Sequence, residues 1–323
     1  TGGAYYQTST MSPASDATMI RVENLTRRFA GVTALDAISF EVRKGEIVGF
    51  LGPNGAGKTT TMRVLTGYLA PTSGRVSVAG LHVLLDAREV RQQIGYLPEN
   101  VAIYPEMRVV EYLCYRGRLK GLHGRKLRSR IDDVTASCGL GDVRRKIVGA
   151  LSKGYRQRVG LADSLLHEPE VVILDEPTIG LDPNQIRMVR NLIKGLAPRH
   201  TVLLSSHILP EVETVCDRVL IINRGRIVAS DTPGSLVGLL KGNLRVSVEI
   251  QGPAETVKTE LEAIPGVVRV THAAHDAWGP YVCECAKGRD IRTEVFRVVT
   301  ARNWVMRELR SERQNLEDVF VAM

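Results

Sequence analysis

Uninterrupted apolar runs recur along the chain up to about residue 240. Ile47–Leu51 and residues 171–174 contain no charged position, which is typical of parallel strands that are buried on both faces. Amphipathic stretches separate these runs, and a helical insert extends from about residue 105 to 160. After a β-rich start, this alternation predicts an α/β fold built on a parallel sheet.

The insert contains a stripe of apolar positions at helical spacing. Its members follow one another at intervals of four, three and four residues, and they are Leu127, Ile131, Val134 and Cys138. Basic residues occupy the first half of the same segment, 125–138. The pattern predicts a surface helix with one buried face.

A different pattern begins after about residue 240. It predicts strands at 244–251, 267–273, 281–285 and 305–309, with helices at 254–264 and 291–301. The order strand, helix, strand, strand, helix, strand is the ferredoxin-like plan. We therefore expect a flexible extension at 1–18, a main domain at 19–240 and a small α+β domain at 241–323, in keeping with about 150 residues per domain.

A glycine-rich loop directly follows the first buried run. Residues 52–59 read Gly-Pro-Asn-Gly-Ala-Gly-Lys-Thr and match the phosphate-binding pattern G-x-x-x-x-G-K-[ST] in full. The glycines let backbone N–H groups approach phosphates, and a helix beginning near Lys58 adds its positive N-terminus. Lys58 is expected to hold the β- and γ-phosphates, and the Thr59 hydroxyl to ligate Mg²⁺. The predicted ATP-binding residues of the loop are Gly52, Asn54, Gly55, Ala56, Gly57, Lys58, Thr59 and Thr60.

Two acids end the second buried run. Asp175 lies at the predicted strand end and is suited to bind Mg²⁺ through water, whereas Glu176 is placed to polarise the water that attacks the γ-phosphate. Acids after a strand are usually solvated turn residues. Together with the phosphate loop, the pair instead predicts ATP hydrolysis.

The segment Leu-Ser-Lys-Gly-Tyr-Arg-Gln at 151–157 resembles the signature of ABC-type ATPases. In that family a Leu-Ser-Gly-Gly-Gln sequence places its Ser and Gly on the γ-phosphate held by the opposite subunit. The resemblance implies this role for Ser152 and Gly154. Lys153 and Tyr155 depart from the family sequence, which leaves the role of the usual glutamine side chain open.

Four further positions gain expected roles from the resemblance. His207 follows a strand-like stretch, as does the family's switch histidine that contacts the γ-phosphate, and Asp182 matches the loop that crosses the dimer interface. Phe29 lies where the family stacks an aromatic ring on adenine, although an aromatic near a strand end is more often part of a core. Glu99 occupies the place of a glutamine that touches Mg²⁺ and the attacking water. It keeps an oxygen ligand but cannot donate a hydrogen bond.

The resemblance spans residues 20 to about 235 and implies an α/β P-loop NTPase of the ABC type with a helical subdomain, plus the ferredoxin-like domain. Residues 315–320 resemble the closing segment of ATP-binding subunits of ABC-2 type exporters, including the gliding-motility and drug-resistance branches. This implies an ATP-hydrolysing subunit that dimerises on ATP, as a homo- or heterodimer, and drives a separate transmembrane permease. Its expected location is peripheral, at the cytoplasmic face of the inner membrane. No run approaches about 18 consecutive apolar residues, so we expect the channel on another chain.

The sequence allows two other function classes to be compared with this one. A soluble ABC-type ATPase that acts on nucleic acid or ribosomes is the alternative, but such relatives usually carry two cassettes or a long coiled-coil insertion, and this sequence shows neither. A regulatory binding module without turnover conflicts with the set Lys58, Asp175, Glu176 and His207.

The formal charge of +8 is concentrated in the helical insert, where 14 Lys and Arg stand against four acids between residues 107 and 160. We therefore expect no nucleic acid partner. Our hypothesis is attraction to anionic lipid headgroups, worth about 1 kcal/mol per well-placed basic residue. An ordinary solvated helical face explains the charge equally well.

Five scattered cysteines, an odd number, fit a reducing compartment. A metal site could be formed by His272, His275, Cys283 and Cys285. The alternation of the two cysteines with Glu284 instead favours thiols packed in a core. Residues 1–18 are rich in Thr, Ser, Gly and Ala and lack the apolar centre of a signal peptide, and Met19 is the expected native start.

Overall fold

The computed structural model describes residues 18–197, 199–240, 245–272, 278–286 and 289–312, without the side chains of 237–240 and 312. Three predictions lie outside the described residues: the extension up to residue 17, a metal-ligand role for His275 and the closing segment 315–320. The chain divides into two compact units, Thr1–Ser230 and Asp231–Met323. The second unit therefore includes a helix at Pro233–Leu240, which the sequence-based division assigned to the main domain.

The strands are β1 (Thr18–Phe29), β2 (Val32–Arg43), β3 (Ile47–Leu51), β4 (Ser73–Val78), β5 (Leu81–His82), β6 (Ile94–Leu97), β7 (Val171–Asp175), β8 (Thr201–Ser206), β9 (Arg218–Asn223), β10 (Arg226–Asp231), β11 (Arg245–Gln251), β12 (Val267–His272), β13 (Trp278–Cys285) and β14 (Val305–Glu312). The α-helices are α1 (Lys58–Leu65), α2 (Ala87–Gln93), α3 (Val109–Leu119), α4 (Gly124–Ser137), α5 (Lys153–Leu165), α6 (Pro183–Lys194), α7 (Leu209–Val215), α8 (Pro233–Leu240), α9 (Ala254–Glu262) and α10 (Arg292–Ala301).

A six-stranded sheet in the order β10-β9-β3-β8-β7-β6 forms the centre of the first unit. β3 runs parallel to β8 and β9, and β7 runs parallel to β6 and β8. Both β3 and β7 are buried at every residue, as their unbroken apolar runs predicted. Parallel pairing also brings the carboxyl ends of these strands to one edge of the sheet, where a binding site is expected.

The β-rich start forms a separate antiparallel sheet in the order β2-β1-β4-β5. Its apolar face and the central sheet share one hydrophobic core, in which the rings of Phe40 on β2 and Phe50 on β3 lie 5.6 Å apart. This core fixes the two sheets relative to each other around α1. The phosphate loop lies between β3 and α1 and is thus held on a rigid base.

The predicted helical stripe is confirmed in α4. Leu127, Ile131 and Val134 are buried, and Cys138, which ends the helix, is buried as well. The basic residues of its first half lie on the opposite, exposed face, apart from Arg130, which is paired. A stretch amphipathic in sequence thus folds with its apolar face against α3 and α5.

The second unit contains a four-stranded sheet in the order β12-β13-β11-β14 with all neighbours antiparallel. With α9 and α10 between the strands, this is the ferredoxin-like arrangement that the pattern predicts. β13 begins at Trp278, three residues before the predicted start at 281. The added residues pair with β11, since Pro280 lies opposite Glu249 and Trp278 opposite Gln251.

Both cysteines of β13 lie in the core of the second unit. Cys283 and Cys285 are fully buried, and burial raises the pKa of the Cys283 thiol to about 12. His272 stacks on Tyr281 with ring centroids 4.5 Å apart. No cluster of metal ligands occurs among the residues that the structure describes. The packing explanation of these cysteines agrees with this arrangement.

Candidate functional site

The phosphate loop is packed closely against its surroundings. A Cβ on Gly57 would lie 2.7 Å from Leu35 Cδ2 and 2.9 Å from Ala34 O, and one on Gly52 would overlap the carbonyl oxygen of Ile222. Gly57 also has φ of +112°, a conformation that L side chains rarely adopt, at the N-terminus of α1. These positions require glycine, and the loop therefore presents its backbone rather than side chains to a ligand.

Lys58 is buried and held by three oxygen atoms. Its Nζ donates to Gly52 O at 2.8 Å and to Pro53 O at 3.3 Å, and it lies 3.2 Å from Glu176 Oε1. The ammonium group thus lies across the mouth of the loop. A phosphate group that entered the loop would compete directly with the carboxylate of Glu176 for this cation.

Asp175 ends β7 and is fully buried. Its Oδ1 accepts hydrogen bonds from Ser205 Oγ at 2.6 Å and Thr59 Oγ1 at 3.3 Å. Its Oδ2 is buried and makes no hydrogen bond with any residue that the structure describes. Burial raises the pKa of this carboxyl group, and the two hydroxyl donors oppose that shift.

The donor set at this point fits Mg²⁺. A hydroxyl and a carboxylate are hard oxygen ligands of the kind that Mg²⁺ prefers, and the unpaired Oδ2 of Asp175 lacks a partner that a cation would supply. Glu99, the third predicted ligand, follows β6, whose last residue pairs with β7 next to Asp175. Its side chain is half-buried and makes no hydrogen bond with the described residues.

Glu176 directly follows Asp175 and is also buried. Its φ is +49°, in the left-handed region, and its backbone N–H donates to Ser205 Oγ at 2.8 Å. Oε2 lies 2.9 Å from His207 Nδ1, which donates to it, while Oε1 faces Lys58. A non-glycine residue in this conformation carries about 1–3 kcal/mol of strain, which is common at functional sites.

The predicted hydrolytic residues are thus brought together. Lys58, Glu176 and His207 form one line of contacts, and Asp175 adjoins it through Thr59 and the chain itself. A base flanked by a cation and an oriented imidazole, next to a phosphate loop, can accept a proton from water and stabilise a developing negative charge.

Phe29 lies at the end of β1 with 44% of its surface exposed, so its ring is not part of the core. The guanidinium carbon of Arg27 lies 4.6 Å from the ring centroid. An exposed aromatic ring backed by a cation is free to stack on a planar ligand.

Ser152, Gly154 and Asp182 form a second group around the N-termini of α5 and α6. Ser152 Oγ caps α5 by accepting from Tyr155 N at 3.4 Å, and Asp182 Oδ1 caps α6 by accepting from the N–H groups of Asn184 and Gln185 at 3.0 Å each. Gly154 packs against the side chain of Gln185. Among the described residues no hydrogen bond joins this group to the phosphate loop.

Reasoning from the sequence missed the two serines that precede His207. Ser205 Oγ donates to the carboxylate of Asp175 and accepts from the backbone N–H of Glu176, while Ser206 Oγ donates to Glu211 Oε2 at 3.2 Å. Glu211 of α7 is buried and also accepts from Thr178 Oγ1 at 2.5 Å, which anchors the loop after Glu176. The sequence signal that could have identified these serines is a pair of hydroxyl residues at the end of an otherwise apolar strand.

The structure also accounts for Tyr155, which departs from the signature sequence. Its hydroxyl donates to Asp142 Oδ2 at 3.0 Å, and the Arg158 guanidinium carbon lies 4.1 Å from its ring centroid. Arg158 in turn donates to Gly139 O at 2.7 Å. Tyr155 thus joins the start of α5 to the end of α4 instead of facing a ligand through a carboxamide.

Curated proteins resemble the chain over from about two thirds to most of its length. The family model described as ABC transporter matches residues 35–179. The linearmycin resistance ATP-binding protein LnrL of Bacillus subtilis is 30% identical over 94% of this chain and 98% of its own length. The bacitracin transport ATP-binding protein BcrA of Bacillus licheniformis is 40% identical over 65% of this chain and 69% of its own.

Solved structures resemble the fold. An ATP-binding subunit of an ABC transporter superposes with a TM-score of 0.61 at 30% identity, over 67% of this chain and 90% of that one. CbiO1 of Clostridium perfringens, described as part of the ABC transporter complex CbiONQ, superposes with a TM-score of 0.64 at 25% identity, over 78% of this chain and 97% of its own.

Proposed function

The chain belongs to the ABC transporter ATP-binding proteins, as the ATP-hydrolysing subunit of an exporter, and we propose that two such subunits close on ATP to drive a separate membrane permease. The family resemblance seen at residues 52–59 and 151–157 is thereby confirmed. The strongest support for the proposed cycle is the line of contacts from Lys58 through Glu176 to His207. It supplies a cation, a base and an orienting imidazole within one phosphate site.

In the proposed mechanism, Lys58 leaves Glu176 and binds the β- and γ-phosphates of ATP. Glu176 then accepts a proton from water as the water oxygen attacks the γ-phosphorus, and the bond from that phosphorus to the β-phosphate oxygen breaks to give ADP and phosphate. His207 orients Glu176 through Nδ1, which leaves its other ring nitrogen for the γ-phosphate. Phe29 stacks on the adenine.

Mg²⁺ would be held by Thr59 and Asp175, with Glu99 as a further oxygen ligand. When bound, it neutralises charge on the phosphate oxygens. The free Oδ2 of Asp175 and the hydroxyl of Thr59 support this role.

Each site of the proposed pair is composite. Ser152 and Gly154 of one subunit would complete the phosphate site of the other, and Asp182 would lie at the interface between them. The position of Ser152 and Gly154 at the N-terminus of α5 supports this, because the N–H groups of a helix start attract anions.

The proposed permease is a separate chain, and this subunit is proposed to act at the cytoplasmic face of the inner membrane. Among the described residues, none of the helices has the length and apolar content of a bilayer span. LnrL and BcrA, whose names refer to linearmycin resistance and bacitracin transport, support the role in an exporter.

An anionic membrane surface is the further proposed partner. Residues 118–128 contain no acid, and Arg125, Lys126 and Arg128 are exposed without an ion pair among the described residues. By contrast, Arg130 and Arg144 are paired with Asp133 and Asp132. The unpaired face is thus available to lipid phosphates at about 1 kcal/mol per residue.

Vesicle co-sedimentation tests the lipid contact. Phosphatidylserine in phosphatidylcholine vesicles is expected to increase binding, and the combined change Arg125→Gln, Lys126→Gln and Arg128→Gln to remove that increase. The control pair Arg88→Gln and Arg91→Gln changes exposed charges of α2 and should leave it unchanged. Binding that is indifferent to phosphatidylserine would contradict the contact.

Light scattering tests the proposed pairing. In the Glu176→Gln background, which blocks turnover, Mg-ATP should double the molar mass while Mg-ADP should not. Adding Ser152→Arg should abolish the difference by crowding the γ-phosphate from the opposite side. The same mass in ATP and ADP over a wide range of protein concentration would refute the composite site.

A further inference from the structure

One buried hydroxyl joins the two acids of the site. Ser205 Oγ donates to Asp175 Oδ1 at 2.6 Å and accepts from the backbone N–H of Glu176 at 2.8 Å. The residue is fully buried near the end of β8, where it pairs with Asp175 of β7 on one side and Phe50 of β3 on the other. It is therefore fixed by the sheet at a point between the metal ligand and the base.

The two bonds have different consequences. The donated bond occupies Oδ1 of Asp175, together with Thr59, so that Oδ2 remains free for a cation. The accepted bond holds the N–H of a residue whose φ is +49°, and it thus supports the left-handed turn that aims the Glu176 carboxylate at Lys58 and His207. Only a group that donates and accepts at once can make both bonds, which a hydroxyl does.

We propose that Ser205 is a positioning residue that selects the metal-binding oxygen of Asp175 and fixes the backbone of Glu176. The inference rests on the proposed Mg²⁺-dependent ATPase mechanism. Removal of the hydroxyl frees Asp175 to rotate about its side-chain bonds and leaves the Glu176 N–H without its acceptor. Metal-dependent nucleotide affinity and turnover both depend on Ser205, whereas metal-independent affinity depends on the phosphate loop.

A second buried serine provides a matched control. Ser164 of α5 is also fully buried, and its Oγ donates to Leu161 O at 2.8 Å within the same helix. Ser164→Ala therefore removes a buried hydroxyl and one hydrogen bond of similar length without touching the site. A general effect of removing a buried hydroxyl would appear in both variants.

The experiment measures ADP affinity by calorimetry on the full chain, first with a chelator and then with Mg²⁺. The ratio of the two dissociation constants is the gain from the metal. Ser205→Ala is expected to reduce this gain at least fivefold while the dissociation constant in chelator changes less than twofold. The rate constant kcat for ATP should fall at least tenfold. Ser164→Ala should leave all three quantities at wild-type values.

Ser205→Cys serves as the second variant, because a thiol fills nearly the same space but is a weaker donor and acceptor. It is expected to lose the Mg²⁺ gain as well. A wild-type gain and kcat in either variant would overturn the role of Ser205. A wild-type protein without any Mg²⁺ gain would overturn the proposed function, and the inference with it.

Discussion

Replacement of Glu176 by glutamine is expected to strengthen ATP binding while it stops turnover. Lys58 Nζ lies 3.2 Å from Glu176 Oε1, and each side chain is only 6% exposed. In the proposed mechanism, ATP takes this ammonium group from the carboxylate. Glu176→Gln removes the competing charge and also its repulsion of the γ-phosphate.

The size of the effect follows from Coulomb's law. Two unit charges 3.2 Å apart interact by about 5 kcal/mol at an effective dielectric constant of roughly 20. Most of this is offset by the desolvation of both groups. If about 1.4 kcal/mol remains, the dissociation constant for ATP falls about tenfold. Loss of the base slows hydrolysis by roughly 10²-fold or more.

Calorimetric titration with Mg-ATP and Mg-ADP measures the prediction. The gain in affinity should be larger for ATP than for ADP, since only ATP brings a γ-phosphate towards residue 176. Glu213→Gln is the control because it removes an exposed charge of α7. An unchanged or weaker affinity for ATP in Glu176→Gln would refute the competition between carboxylate and phosphate. Turnover at the wild-type rate would refute the assignment of the base.

Three further outcomes are expected. Phe29→Ala should weaken ATP binding about tenfold in a titration, because base stacking is worth about 1–3 kcal/mol. Phe29→Tyr should retain the wild-type affinity for ATP, and equal affinity in all three proteins would exclude stacking. His167→Gln should reduce the loss of folding stability in acid. Burial lowers the pKa of His167 in the folded protein to about 4, so between pH 6.5 and 4 the unfolded chain binds a proton that the folded protein does not. The contribution of His167 to the free energy of unfolding is therefore fully present above pH 6.5 and is lost as the pH falls towards 4, by at most about 3 kcal/mol. Urea unfolding across this range measures the difference, and parallel curves for both proteins would contradict it. Gly154→Ala should change the free energy of unfolding by less than about 1 kcal/mol, since the three atoms nearest to a Cβ there all belong to the movable end of Gln185. It should nevertheless weaken the ATP-dependent dimer in light scattering, and a dimer of wild-type strength would count against a trans contact at Gly154.

The features that could be predicted from the sequence are those formed by residues that lie close together in the chain. The phosphate loop is a contiguous segment because its glycines and Lys58 must surround one ligand, and the pair Asp175 and Glu176 is adjacent in the chain. The helix α4 was predicted from four apolar positions that all lie on one face. In each case the residues that act together are close in sequence, so their types and spacing are enough to predict the feature.

The remainder depends on pairings between distant segments. Ser205 contacts Asp175 only because β7 and β8 pair in one register, and a shift by one residue would turn its side chain to the other face. The contact of Lys58 with Glu176 likewise joins segments far apart in the chain. The predicted start of β13 was also three residues late, because pairing with β11 extends the strand back to Trp278.

The left-handed backbone of Glu176 has a consequence for how this position tolerates change. Glycine adopts φ near +49° without penalty and asparagine with little, whereas glutamate does so at a cost. The backbone alone would therefore favour glycine at this position, but the glutamate side chain is the partner of Lys58 and His207, so Glu176→Gly would leave a buried ammonium group without its carboxylate. A left-handed glutamate directly after a buried strand is thus a backbone sign of a functional position, which a pattern of residue types in the sequence does not show.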